Sequence, residues 1–323
     1  MRMYSKRLKA IGGYFDLQLP SLEEFYPSLI KLNTGRNALE YILKVNGYTC
    51  IYIPYFTCEV LLEPIKKLGI EYYFYTLDKN LDPIIDFKIE SKECLLYTNY
   101  FGIKQATINK LTDLDFNLIV DNSQAFFSSP LPGIDTFYSC RKFFGLPDGA
   151  YLQSKLKSSA KFERDVSFDR MSHLLISIDQ TIEKGYESFK INNEVLSNNP
   201  IRRMSLLTER LLKSIDYEEC RVIRNRNFRI LHEELSEKNQ LSIDTSGING
   251  PLCYPFLAVK ENIKRKLISK RVFVPVFWPN VFNWTTSKMF ENYLAQNLVP
   301  LPIDHRYDEE DMERMINYLK QMI

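Results

Sequence analysis

A chain of 323 residues, 45% hydrophobic and 25% charged, has the composition of a soluble globular protein with room for one large and one small domain. A chain of that size buries about three-quarters of its unfolded surface, so a sizeable core is expected. The net charge of +2 gives no electrostatic pull toward nucleic acid, and no run of about 18 apolar residues offers a membrane-spanning helix.

The first residues, MRMYSKRLKAIGGYF, are basic but lack the apolar centre of a signal peptide. Residues 1–32 are read as an N-terminal segment. From residue 33 onward, short apolar runs alternate with helical patterns. In NTGRNALEYILKVNG, Ala38, Tyr41, Ile42 and Val45 recur at helical spacing, with Thr34 as N-cap and Gly47 at the end. Residues 58–68 predict a second helix stopped by Gly69, despite Pro64. Strands are predicted at 49–53, 70–77, 94–98, 117–120, 134–138 and 149–153. Near-continuous apolar strands separated by helices predict an α/β fold, with a largely parallel sheet covered on both faces.

Residues 160–240 turn helical and charged, with long helices predicted around 169–190 and 203–236. A smaller C-terminal α+β unit follows, with strands at 253–259 and 272–278. Its last helix, from about 308, opens on DEED, which suits the positive end of a helix dipole. The division expected is a large domain over 33–225 and a small one over 226–323. The six cysteines (Cys50, Cys58, Cys94, Cys140, Cys220 and Cys253) form no CxxC pair. That argues against a zinc site or a disulfide framework and for a reducing, cytoplasmic setting.

Three features fall where ligands bind in a parallel sheet, beyond the carboxyl ends of the strands. Asp121 follows the strand NLIV, Lys142 follows IDTFYS, and TGRN (34–37) opens a helix whose free N–H groups suit a phosphate. Each alone has a plain alternative: a solvated lysine, an end-of-strand acid, an ordinary N-cap. Together they match one cofactor, pyridoxal 5′-phosphate (PLP). It needs a lysine for a Schiff base, an acid at its ring nitrogen and a cradle for its phosphate. Gln124, three residues past Asp121, is within reach of the ring hydroxyl from the same turn.

With these residues in hand, the sequence resembles the DegT/StrS-type sugar aminotransferases, which are fold-type I PLP enzymes. The segments TGRNALEYIL, IYIPYFTCEVLLEPIKKLGIEYYFYTLD, LLYTNYFG, LIVDNSQA, YSCRKFFGLPDGAYL and LPIDHRYDEEDMERMINYLK follow that family's landmarks in order. The resemblance is good over 33–155 and moderate over 299–320. It implies that Lys142 carries the cofactor as a Schiff base, Asp121 pairs with the ring nitrogen and Gln124 with the ring hydroxyl. Gly35 and Arg36 occupy the backbone positions that hold the phosphate, Ser139 adds a hydroxyl, and Gly149 belongs to the turn after the lysine. It further implies an amino-acid donor (glutamate), a nucleotide-linked keto-sugar acceptor, and a homodimer with the active site at its interface.

Departures from the family pattern stand at several of these positions. Phe137 takes the place of a serine five residues before the lysine, and Arg36 that of a threonine. Cys58 stands where an aromatic usually stacks on the ring, a role left to Phe56 or Tyr100. The nearest candidate for the family's asparagine-bearing loop is SNNPIRRMS (197–205). Arg221, Arg224, Arg226 and Arg229 read either as a solvated basic face or as a contact for an anionic diphosphate. His173 and His232 read as structural, His305 as a candidate for the cleft, Cys140 as a packed thiol, and Trp278 and Trp284 as core of the small domain. Two other functions stay open: a PLP-dependent dehydratase or lyase, against which the lysine at 142 argues, and a non-catalytic binding protein on the same fold.

Overall fold

The computed structural model describes residues 11–259 and 262–323, so part of the N-terminal segment (1–10) lies outside the described residues. A short strand, β1 (Ile30–Leu32), leads into α1 (Gly35–Asn46). Thr34 caps α1 by accepting from the Asn37 N–H at 3.1 Å, and Gly47 closes it in the left-handed conformation. Strand β2 (Cys50–Pro54) is followed by a 3-10 turn and α2 (Leu62–Lys67). Pro64 is tolerated because it falls in the first turn of α2, where its missing N–H breaks no helical bond.

Next come β3 (Glu71–Tyr75), β4 (Glu93–Thr98), α3 (Gln105–Thr112), β5 (Asn117–Asp121), β6 (Asp135–Ser139) and β7 (Ala150–Gln153). The sheet order is β1-β7-β6-β5-β4-β2-β3. Strands β3, β2, β4, β5 and β6 run parallel; β7 runs antiparallel to β6, and β1 pairs antiparallel with β7 and so points the same way as the first five. Alternate residues go to opposite faces: Cys94, Leu96 and Ile119 pack with Leu39, Ile42 and Ile65 of α1 and α2. Leu95, Tyr97, Leu118 and Val120 pack with Ile108 of α3 and with Trp278, Val281 and Leu294 from far along the chain. A strand buried on both faces has no polar side to show, which explains the unbroken apolar runs.

The helical middle is more segmented than the sequence pattern predicts. The stretch 169–190 is split into α4 (Ser172–Asp179) and α5 (Ile182–Val195), with Gln180 leaving the helical region and Thr181 capping α5. The stretch 203–236 is α6 (Leu206–Leu212) and α7 (Tyr217–Leu235), separated where Asp216 caps a new start. Residue 226, the expected domain boundary, lies inside α7. Tyr217 and Cys220 of that helix pack with Phe126 and Phe144 of the large unit, whereas Phe228, Leu231 and Leu235 pack with the C-terminal strands.

The C-terminal unit contains β8 (Cys253–Leu257), α8 (Ile263–Ser269), α9 (Val281–Trp284), α10 (Phe290–Asn297), β9 (Leu298–Pro302) and α11 (Glu309–Lys320). Strand β8 pairs with β9, and the stretch 272–278, predicted as a strand, is irregular. Helix α11 begins on a capping box between Asp308 and Asp311. Neither tryptophan belongs to the small core. Trp278 packs edge-on against Phe56 at 5.0 Å, and Trp284 lies 4.8 Å from Phe74 of β3.

Candidate active site

The carboxyl ends of β4, β5 and β6 form one rim. Asp121 ends β5 and is 5% exposed. Its Oδ1 accepts from the Ser123 backbone N–H at 2.8 Å. Lys142 closes the 3-10 turn that follows β6; it is exposed, and its Nζ donates to Ser123 Oγ at 3.1 Å. Ser123 thus bridges the acid and the lysine. Burial pushes the Asp121 carboxyl above the usual range, and the Lys142 ammonium and Ser123 only partly pull it back. A buried carboxylate left short of positive charge favours a cation beside it.

Gln124 is fully buried. Its Oε1 accepts from the Phe101 N–H at 2.8 Å, while its Nε2 has no partner among the described residues. A buried amide donor without an acceptor is costly unless a ligand supplies one. Cys58 lies on the same rim. Burial pushes its thiol up, the nearby Lys142 ammonium pulls it down, and Asp121 opposes.

At the other end, α1 points its first turn toward β6. A Cβ built on Gly35 would lie 3.7 Å from the Phe137 ring and 3.9 Å from the Ser139 Cβ, so Ser139 borders the helix start. The N–H groups of Gly35 and Arg36 have no acceptor among the described residues. The Arg36 side chain turns away from this turn: its Nη1 pairs with Glu63 at 2.7 Å and its Nη2 donates to the Leu196 carbonyl at 2.9 Å. Only the backbone of Arg36 is available to an anion there. Phe56 and Tyr100 are both fully buried, and the Tyr100 hydroxyl donates to the Phe56 carbonyl at 2.8 Å. Neither ring is exposed to solvent.

The loop after the lysine is held by contacts the sequence pattern did not single out. Asp148 is fully buried and accepts from the Ser205 N–H at 2.9 Å, from Ser205 Oγ at 2.8 Å and from Thr208 Oγ1. Gly149 follows with φ at +121°, and a Cβ there would meet Thr208 at 3.0 Å; only glycine suits this position. From α5, Asn192 Nδ2 donates to the Pro147 carbonyl at 3.0 Å, and Asn193 Oδ1 accepts from Arg141 at 2.7 Å. The 197–205 stretch runs against α1 of its own chain, where Asn37 Nδ2 donates to the Pro200 carbonyl at 2.9 Å.

Arg224 is not part of a solvated face: it is 1% exposed. Arg221 pairs with Glu218 at 2.6 Å, and Arg229 is exposed. His305 lies in a cavity wall that Lys142 shares. Cys140 is fully buried, which pushes its thiol far up and makes it inert. The signal for Asp148 was present in the pair "DG" after the lysine, but its partners 57 and 60 residues on leave no local pattern.

No protein-family model matches the chain, and no curated protein does. Among solved structures the chain is similar to the sugar aminotransferase CalS13 from Micromonospora echinospora, at 14% identity, with 91% of this chain and 87% of that chain covered and a TM-score of 0.60. A DegT DnrJ EryC1 StrS aminotransferase from Brucella abortus is similar at 14% identity, over 91% and 85%, with a TM-score of 0.62. NtdA from Bacillus subtilis, solved with bound cofactor PMP, is similar at 14% identity, over 91% and 72%, with a TM-score of 0.64. The chain therefore has the fold of these sugar aminotransferases, a mostly parallel seven-stranded sheet flanked by helices.

Proposed function

We propose that this protein is a PLP-dependent aminotransferase that moves an amino group from glutamate to a keto-sugar carried on a nucleotide. The observation that carries the reading is the convergence on one rim of Lys142, bridged through Ser123 to the buried Asp121, with the unpaired Gln124 Nε2. These groups fit the cofactor: a carboxylate lacking a cation for the ring nitrogen, a free amide donor for the ring hydroxyl, and the N–H groups of Gly35 and Arg36 with Ser139 for the phosphate. Cys58 would line the ring site in place of an aromatic. NtdA, which has the same fold, holds the aminated form of this cofactor, and CalS13 is a sugar aminotransferase.

Bound PLP supplies an electron sink for a carbanion at the carbon that loses its proton. In this chain Asp121 keeps a charge buried where the ring nitrogen must stay protonated. Lys142 Nζ would hold the cofactor and, when free, would carry a proton between substrate carbon and cofactor, from the donor's Cα in the first half-reaction and to the acceptor carbon in the second. Ser123 orients that amine between turns.

The same reading includes a cytoplasmic setting, supported by six free cysteines, and a large domain ending near residue 225. It also includes a homodimer, supported by the apolar side chains that α4 and α5 expose, among them Leu175, Ile178 and Tyr186. Visible absorption of the purified protein with added PLP, before and after glutamate, tests the function. The expected result is a yellow band that glutamate bleaches in the wild type and that is absent in Lys142→Ala. A wild type that stays colourless would make this a binding protein on an enzyme fold.

A further inference from the structure

Among the described residues, the buried Arg224 and the half-buried Arg141 have no carboxylate within ion-pair distance. Arg224, on the inward side of α7, donates from Nη1 to the carbonyls of Pro251 (3.0 Å) and Leu252 (3.2 Å) and from Nη2 to that of Phe143 (3.4 Å). Its Nε has no acceptor among the described residues. Arg141, the neighbour of Lys142, donates from Nη2 to the neutral side chain of Asn193 at 2.7 Å, and its Nε is likewise unpaired among the described residues. Burial holds both guanidinium groups down to about 10, so both stay charged at neutral pH. Asp304 acts on Arg224 and Asp148 on Arg141 without pairing with them, and a charge withdrawn from water without a paired partner is costly.

Both arginines line one cavity of about 480 Å³, and Lys142 and Arg306 share its wall. The one acid in that wall among the described residues, Asp304, is turned to Arg306, whose Nε and Nη2 it accepts at 2.7 and 2.9 Å. Four cations therefore face a single, already paired carboxylate. His173 and His305 also border the cavity, each with an Nδ1 unpaired among the described residues. The remaining wall is apolar, with Leu174, Ile182, Tyr186 and Phe189.

We propose that this cavity is an oxyanion subsite beside Lys142, which takes the carboxylate or phosphate of a small molecule on Arg141 and Arg224 and its carbon body against Tyr186 and Phe189. The binding claim stands on the cavity alone; calling the occupant a substrate rests on the aminotransferase reading. A carboxylate would come from the amino donor, a phosphate from the acceptor.

Calorimetric titration of the full chain, held in excess PLP so that the α1 turn is filled, with glutarate and separately with inorganic phosphate, tests it. One of the two anions binds the wild type, and Arg141→Gln weakens that binding roughly tenfold or more, as loss of a charge-assisted contact requires. Arg306→Gln, at a half-exposed side chain, weakens it too and decides the matter if Arg141→Gln does not fold. Glutarate binding assigns the subsite to the donor, phosphate binding to the acceptor. No binding of either anion to the wild type, or unchanged affinity in the folded variants, overturns the proposal. The yellow band of the same samples reports PLP binding separately, so failure of the subsite and failure of the cofactor reading are distinct results.

Discussion

The Phe101 backbone N–H donates to Gln124 Oε1 at 2.8 Å, joining the turn after β4 to the turn after β5. Phe101 holds a left-handed backbone with φ at 58°, and its amide faces the interior, where Gln124 supplies the acceptor. The same bond decides which end of the Gln124 amide is left over: the donor, Nε2. One side chain thus serves both the scaffold and the rim.

Replacing Gln124 with Ala strands the Phe101 N–H in the core. The expected loss is about 1–3 kcal/mol of unfolding free energy, read from the urea midpoint without cofactor, together with weaker PLP binding. An unchanged midpoint would mean that the turn finds another acceptor.

Asp121→Asn keeps the shape of the side chain and removes its charge. The Ser123 N–H still finds an oxygen, so the fold is retained. PLP still colours the protein, but the bleaching by glutamate slows by roughly 10²-fold or more, because the ring nitrogen is no longer held protonated. Stopped-flow absorbance measures the rate; a variant as fast as wild type would remove Asp121 from the chemistry.

Asp148→Ala removes the acceptor that ties Ser205 and Thr208 of α6 to the loop after Lys142. Hydrogen bonds to a buried charged group contribute about 1.5–3 kcal/mol each, so the variant loses about 3 kcal/mol or more, seen as a large drop in melting temperature. Melting at the wild-type temperature would show that α6 is held by packing alone.

Burial and the Arg141 charge hold the His173 imidazole below its usual value, against a backbone contact at Arg170. With the folded value depressed, the unfolded chain takes up a proton first as pH falls below about 6.5. The stabilisation is therefore complete above about pH 6.5 and is lost as pH drops through the lower folded value. His173→Gln should narrow the difference in melting temperature between about pH 7.5 and about pH 5.5; an unchanged difference would show that His173 does not titrate there.

Much of the large unit was legible because its strands carry one physical signature, apolar residues on both faces bounded by turns. Asp121, Lys142 and the α1 start were legible for a related reason: in a parallel sheet, position after a strand is position on the rim. The C-terminal unit was not. VFVPVFW has the β-branched composition of a strand, but Pro275 at its centre and Pro279 just past its end remove donors, while LVPLP, with two prolines of its own, pairs along β8 instead. Both sequences are locally ambiguous, and long-range packing decided between them. Charge on α7 misled for another reason. Arg221, Arg224, Arg226 and Arg229 look alike in sequence, and only the fold distinguishes the one whose side chain is taken into the interior. The two tryptophans show the same limit, since their partners Phe56 and Phe74 lie more than 200 residues away.

The most direct test of the central claim is to add PLP to the protein, reduce with borohydride and map the modified peptide by mass spectrometry. Modification of Lys142 alone, lost in Lys142→Ala and weakened in Gln124→Ala, is the result expected. Modification of another lysine, or of none, would contradict the assignment of Lys142 as the reacting amine.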